Sequence, residues 1–102
     1  MMVFSVLYPA KAGAKFDFDY YMATHIPLVR EAFGSNLKSV DVHQAMSAGD
    51  GSAAPFVAMA HLNFESPEAM QAALTSERAG EVMADIANFT DITPQSVVSA
   101  AR

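Results

Sequence analysis

Leu37-Lys38-Ser39-Val40-Asp41-Val42-His43-Gln44-Ala45-Met46 and, beyond a loop, Phe56-Val57-Ala58-Met59-Ala60-His61-Leu62-Asn63-Phe64 decide the fold. In the first segment Val40 and Val42 alternate with Ser39, Asp41 and His43, the period of a strand. The second is dense in apolar types, with Ala60, Leu62 and Phe64 on one side and Val57, Met59, His61 and Asn63 on the other. Between them Ser47–Pro55 gathers Gly49, Gly51 and Pro55, the signals of a hairpin loop. Two adjacent central strands therefore pair antiparallel, and what flanks them sets the topology.

Outward on the N-terminal side, Asp17–Ala32 predicts a helix. Asp17 stands at its cap, Phe18, Tyr21, Met22, Leu28 and Val29 recur at helical spacing, and Gly34-Ser35-Asn36 stops it. Before the Pro9–Lys15 loop, Met2–Tyr8 predicts a buried strand. Outward on the C-terminal side, Ser66-Pro67-Glu68 starts a second helical stretch: a serine cap, proline at the first helical position, then an acid. That stretch runs to about Asn88 with a break near Ser76, and Ile92–Ser99 predicts a last strand in which Pro94 marks a sheet edge or the first residues. The order is β-α-β-β-α-β, the split βαβ pattern of ferredoxin-like α+β proteins. Residues 1–102 are expected to form one domain, a four-stranded antiparallel sheet with helices on one face. Val40, Val42, Ala60, Leu62 and Phe64 should meet the helices. Ser39, Asp41, His43, Val57, Met59, His61 and Asn63 should lie on the bare face.

Composition narrows the function. Net charge is −5 and hydrophobic residues make up 52% of the 102 residues. No Lys/Arg cluster exists to neutralise phosphates, which argues against nucleic acid and an anionic membrane surface. No apolar run approaches the ~20 residues of a membrane-spanning helix. No basic-then-apolar leader precedes the first strand, so a cytoplasmic location is expected. Cysteine is absent, which excludes disulfides and thiolate metal sites. So apolar a chain of this size suggests burial against a second subunit.

The candidate chemistry lies on the first helix. His25 follows Tyr21 by one helical turn, placing an imidazole and a phenol together on an apolar face. Pro27 cannot donate a backbone hydrogen bond and should bend the helix near His25. Tyr20 points about 100° away from Tyr21, so it should not share the His25 face. An imidazole titrates near neutrality and suits a general base or acid, and Tyr21 could hold or polarise a ligand oxygen. Asp41, His43, His61 and Asn63 are candidate lining residues for a cavity. The three histidines invite a metal, yet no short-spaced His pair exists, and no metal or other cofactor is expected. Glu65, Glu68, Glu77, Glu81 and Asp85 have the pattern of a solvated acidic face. No phosphate loop, nucleophile elbow or dinucleotide fingerprint is present.

Phe16-Asp17-x-Asp19-Tyr20-Tyr21-x-x-x-His25-x-Pro27-Leu28-Val29 resembles the signature helix of the EthD-like proteins, a family named for a component linked to ethyl tert-butyl ether degradation. Val6-Leu7-Tyr8-Pro9, Leu62-x-Phe64-x-Ser66-x-Glu68-Ala69 and Ala87-Asn88-Phe89-Thr90-Asp91 are similar to its first strand, its third strand with the second helix start, and its C-terminal helix exit. The resemblance implies a dimeric α+β barrel, in which two ferredoxin-like subunits close their bare sheet faces on each other. Proteins of that architecture include cofactor-free monooxygenases, muconolactone isomerase-like enzymes, polyketide cyclases and dehydratases, and stress-response proteins. The family's hallmark histidine matches His25. Where members often carry a bulky aromatic late in the third strand, this chain has Asn63, with His61 before it, which implies a more polar pocket. The expectation is a homodimer whose joined sheets enclose a chamber bordered by His25. It would act on a hydrophobic, oxygen-bearing small molecule by proton transfer, in a catabolic or polyketide-like pathway. The alternatives are a non-catalytic carrier or accessory protein for such a metabolite, and a purely structural dimer with a filled interior.

Overall fold

The computed structural model describes residues 1–102. Its strands are β1 (Met2–Pro9), β2 (Leu37–Gln44), β3 (Phe56–Phe64) and β4 (Gln95–Ala100). They form one sheet in the order β2-β3-β1-β4, every pairing antiparallel. This is the ferredoxin-like arrangement expected from the element order. The register holds the predicted faces. Ala58, Ala60, Leu62 and Phe64 are buried beneath the helices, while Val57, Met59, His61 and Asn63 are only partly covered on the other side. β4 is shorter than expected. It starts at Gln95, after Pro94, and Ile92 instead buries its side chain in the core. Pro94 has no N–H for a ladder, so pairing begins beyond it.

The first helical run has three parts: α1 (Phe18–Tyr20), a π-helical turn (Tyr21–His25) and α2 (Ile26–Phe33). Asp17 caps it, its Oδ1 accepting from the Tyr20 N–H at 3.1 Å. The bend expected from Pro27 takes the form of the widened π turn, in which the Ile26 N–H reaches back to the Tyr21 carbonyl. With no N–H on Pro27, the next rung of an ordinary ladder cannot form, so widening the turn forfeits less. Gly34 then ends α2 at φ +53°, a conformation that favours glycine. On the C-terminal side, α3 (Pro67–Leu74) is capped by Ser66, whose Oγ accepts from the Ala69 N–H. The expected break at Ser76 separates it from α4 (Ala79–Asp85), which passes into a 3₁₀ turn (Ile86–Asn88).

The core lies between the sheet and these helices in two groups. One joins Val29, Phe33, Leu62, Phe64, Met70 and Val82; the other joins Tyr8, Tyr21, Ile26, Ala58, Phe89 and Ile92. A clasp ties the start of the first helical run to the exit of the second. The Asp17 N–H donates to the Phe89 carbonyl at 2.8 Å, the Lys15 N–H to Asp91 Oδ1 at 3.0 Å, and the Thr90 hydroxyl to the Lys15 carbonyl at 2.6 Å. No helix is long and apolar enough to cross a membrane.

Candidate functional site

A cavity of about 280 Å³ lies between the helices and the sheet, where the two core groups meet. Val29, Phe33, Leu62, Val82 and Ile86 form its apolar walls. Met83 and Ser96, both exposed, stand at its edge. Tyr8 from β1, with Tyr21 and His25 from the π turn, supply its polar end.

His25 is only 4% exposed, and its Nδ1 lies 2.9 Å from Asp85 Oδ2. A carboxylate only accepts, so Nδ1 carries the proton. Nε2 is thereby left unprotonated, with no partner within the chain, beside the cavity. Asp85, at the end of α4, also accepts from the Tyr20 hydroxyl at 2.6 Å and from Asn88 Nδ2 at 3.0 Å, both through Oδ1. The clasp between residues 15–17 and 89–91 is what presses these two helical runs together. His25 also stacks along Tyr21, with ring centroids 5.6 Å apart and planes 16° apart, and Phe89 closes its other flank at 4.6 Å.

Burial pushes the His25 imidazole below its ordinary value, and the Asp85 carboxylate only partly opposes that shift. The ring is therefore neutral at pH 7. Burial works to raise Asp85, but hydrogen bonds from Tyr20, Asn88 and His25 outweigh it and hold the carboxyl below its usual range. Tyr20 is raised, first by its bond to that carboxylate. Burial raises Tyr8 and Tyr21 well above ordinary phenols, so both remain proton donors throughout the neutral range.

The structure corrects the reading of the acidic residues. Asp85 does not belong to a solvated acidic face: it is the partner of His25 across 60 residues of sequence. Tyr20 does point away from Tyr21, yet it meets His25 through the shared carboxylate. The expectation of one chamber is also corrected. Asp41, His43, His61 and Asn63 lie together on the bare face, on the opposite side of the sheet from Tyr21 and His25. There Ser5 Oγ and His61 Nδ1 are hydrogen-bonded at 2.8 Å, the His43 and His61 rings stand 5.9 Å apart, and Asn63 Nδ2 donates to Asp41 Oδ2 at 2.9 Å and to Ser39 Oγ at 3.0 Å. The reason is geometric: a helix residue facing the sheet meets the face that helices cover, and alternation sends odd and even strand residues to opposite sides. No group of three or more His, Cys, Asp or Glu is placed to hold a metal ion.

The family model described as "EthD domain" matches residues 13–93. Among solved structures, the chain is similar to an EthD-like protein from Ralstonia eutropha, with a TM-score of 0.86 and 34% identity over 96% of this chain and 88% of that one. It is also similar to an ethyl tert-butyl ether degradation (EthD) family protein from Bacillus halodurans, with a TM-score of 0.79 and 22% identity over the whole of both chains. A protein from Bacteroides fragilis described as dimeric and ferredoxin-like in fold shares that fold, with a TM-score of 0.58 and 10% identity over 98% of this chain and 95% of that one. No curated protein matches the chain.

Proposed function

The chain belongs to the EthD family, and from that premise we propose that it is a small enzyme, or enzyme component, that moves a proton on an apolar, oxygen-bearing molecule held in the cavity between helices and sheet. The observation that carries this reading is the 2.9 Å bond between His25 Nδ1 and Asp85, which leaves an unprotonated Nε2 at an apolar cavity. A neutral imidazole oriented by a carboxylate is a general base whose tautomer is set in advance. His25 Nε2 takes a proton from a carbon next to a carbonyl, and the Tyr21 hydroxyl holds the oxygen that gains charge. Protons returned elsewhere give isomerisation, dehydration or cyclisation. A carbanion passed to dioxygen gives cofactor-free oxygenation.

Two copies closing their bare sheet faces would complete the assembly, with Asp41, His43, His61 and Asn63 in the interface. Dimerisation is part of the proposal, supported by the partly apolar bare face and the dimeric description of the Bacteroides fragilis relative.

A carrier for the same kind of molecule is the second reading, favoured by the predominantly apolar lining. Acetophenone in deuterated buffer separates the two. An enzyme exchanges the ketone's methyl protons for deuterium, and His25→Gln lowers that rate at least ~100-fold with acetophenone affinity kept within about threefold. Binding without exchange in the parent protein supports the carrier.

A further inference from the structure

The cavity contains a polar group that neither the helix signature nor the base uses. Tyr8 enters from β1 and is 1% exposed, as is Tyr21, yet neither hydroxyl bonds to any side chain or backbone group of the chain. Both residues line the cavity, and neither hydroxyl is shut away from open space. A phenol this deeply placed normally finds a hydrogen-bond acceptor. The two rings meet edge to face with centroids 6.0 Å apart, and Tyr21 continues into its stack on His25. No Lys or Arg lines the cavity, and the Asp85 carboxylate stands behind His25, 2.9 Å from its Nδ1.

We propose that Tyr8 and Tyr21 form a two-phenol cradle for a single ligand oxygen, and that the ligand is an uncharged, largely apolar ketone, ester or phenol, with carboxylates and phosphates rejected. This rests on the reading of His25 as base, and supplies the electrophilic half of that chemistry. Two O–H donors converge on an oxygen whose charge grows as His25 removes the proton, so they hold the charged state more strongly than the neutral one. A ligand already anionic would enter a site with no cation and a carboxylate nearby. With a phenol, the balance is simple. The ligand O–H bond breaks, an N–H bond forms at His25 Nε2, and the electron pair stays on the oxygen facing the two tyrosines.

Para-nitrophenol is the probe, titrated at a pH where the free compound is mostly un-ionised. The parent protein should bind it with the absorption of the phenolate, the proton having moved to His25. Tyr8→Phe and Tyr21→Phe each remove a hydroxyl that has no bond in the fold, so circular dichroism should stay unchanged. Each should weaken para-nitrophenol about tenfold, while nitrobenzene, which has no acidic proton, changes less than about twofold. Para-nitrobenzoate should bind at least ~10-fold more weakly than para-nitrophenol. Undiminished affinity in folded Tyr8→Phe, equal binding of the benzoate, or no binding of para-nitrophenol to the parent would each overturn the cradle. His25→Gln judges the base separately. If it retains both binding and the phenolate signature, the cradle stands and the assignment of His25 falls.

Discussion

At the scale of single residues, the site depends on Asp85 doing two things to one imidazole. It fixes the tautomer, and it partly offsets the burial that lowers the ring's proton affinity. Asp85→Asn keeps the shape but removes the charge. The His25 pKa should then fall further below its ordinary 6.5, and acetophenone exchange at pH 7 should drop about 10- to 100-fold. A histidine NMR titration and the exchange rate check both, and an unchanged His25 pKa would count against the coupling. The pH dependence follows in sign. The base is neutral above its lowered pKa, so the exchange rate should be level above pH 6.5 and fall on the acid side. Stability behaves alike. The unfolded chain takes up the His25 proton first as pH drops, so the fold weakens from about 6.5 downward. Asp85, held below its ordinary 3.8, keeps its contribution above that value and loses it only in stronger acid. That Tyr21 and His25 lie side by side was legible because their spacing is local. Asp85 was not, because its role depends on a contact across 60 residues. The one signal available was a buried-face histidine that needed a partner.

At the scale of elements, the π turn is what aims His25. A strict α-helix would carry Tyr21 and His25 past one another with different tilt; the widened turn leaves their planes 16° apart. Pro27→Ala restores the missing donor and lets the ordinary ladder continue. The expected result is a gain of about 1 kcal/mol in stability by thermal denaturation, less than the ~3 kcal/mol typical of an interior proline, because Pro27 opens α2. Exchange activity should fall severalfold as His25 rotates off Asp85. Unchanged activity would show that the turn does not set the aim. The sequence predicted a bend here from Pro27, but not its form, since sequence periodicity does not separate a kink from an extra residue in the turn. Caps, stop signals and strand alternation were readable, being chemical choices made within a few residues. The start of β4 was not, because Ile92 has a strand former's side chain but spends it in the core.

At the scale of the whole molecule, the proposed assembly rests on the bare face. Met59 sits there, paired across the sheet with Leu7 and His43. Met59→Glu should fold normally and sediment as a monomer where the parent sediments as a dimer, and a monomeric parent at micromolar concentration would remove the proposed interface. The order of elements was enough to read the topology. The single chamber expected from the sequence fails at this scale: the two sets of polar residues occupy separate spaces, because helices that cover one face cannot lend side chains to the other.

The sheet thus works as a partition. Along each strand, every second position belongs to a room that its neighbours do not enter. Ser5 and His61 can be exchanged for other chemistry without disturbing the space beside Tyr8, and Leu62 can be reshaped without touching whatever rests against Asn63. A chain built this way can acquire a new companion and a new cargo by separate steps, one substitution at a time, on opposite sides of a wall a single layer thick.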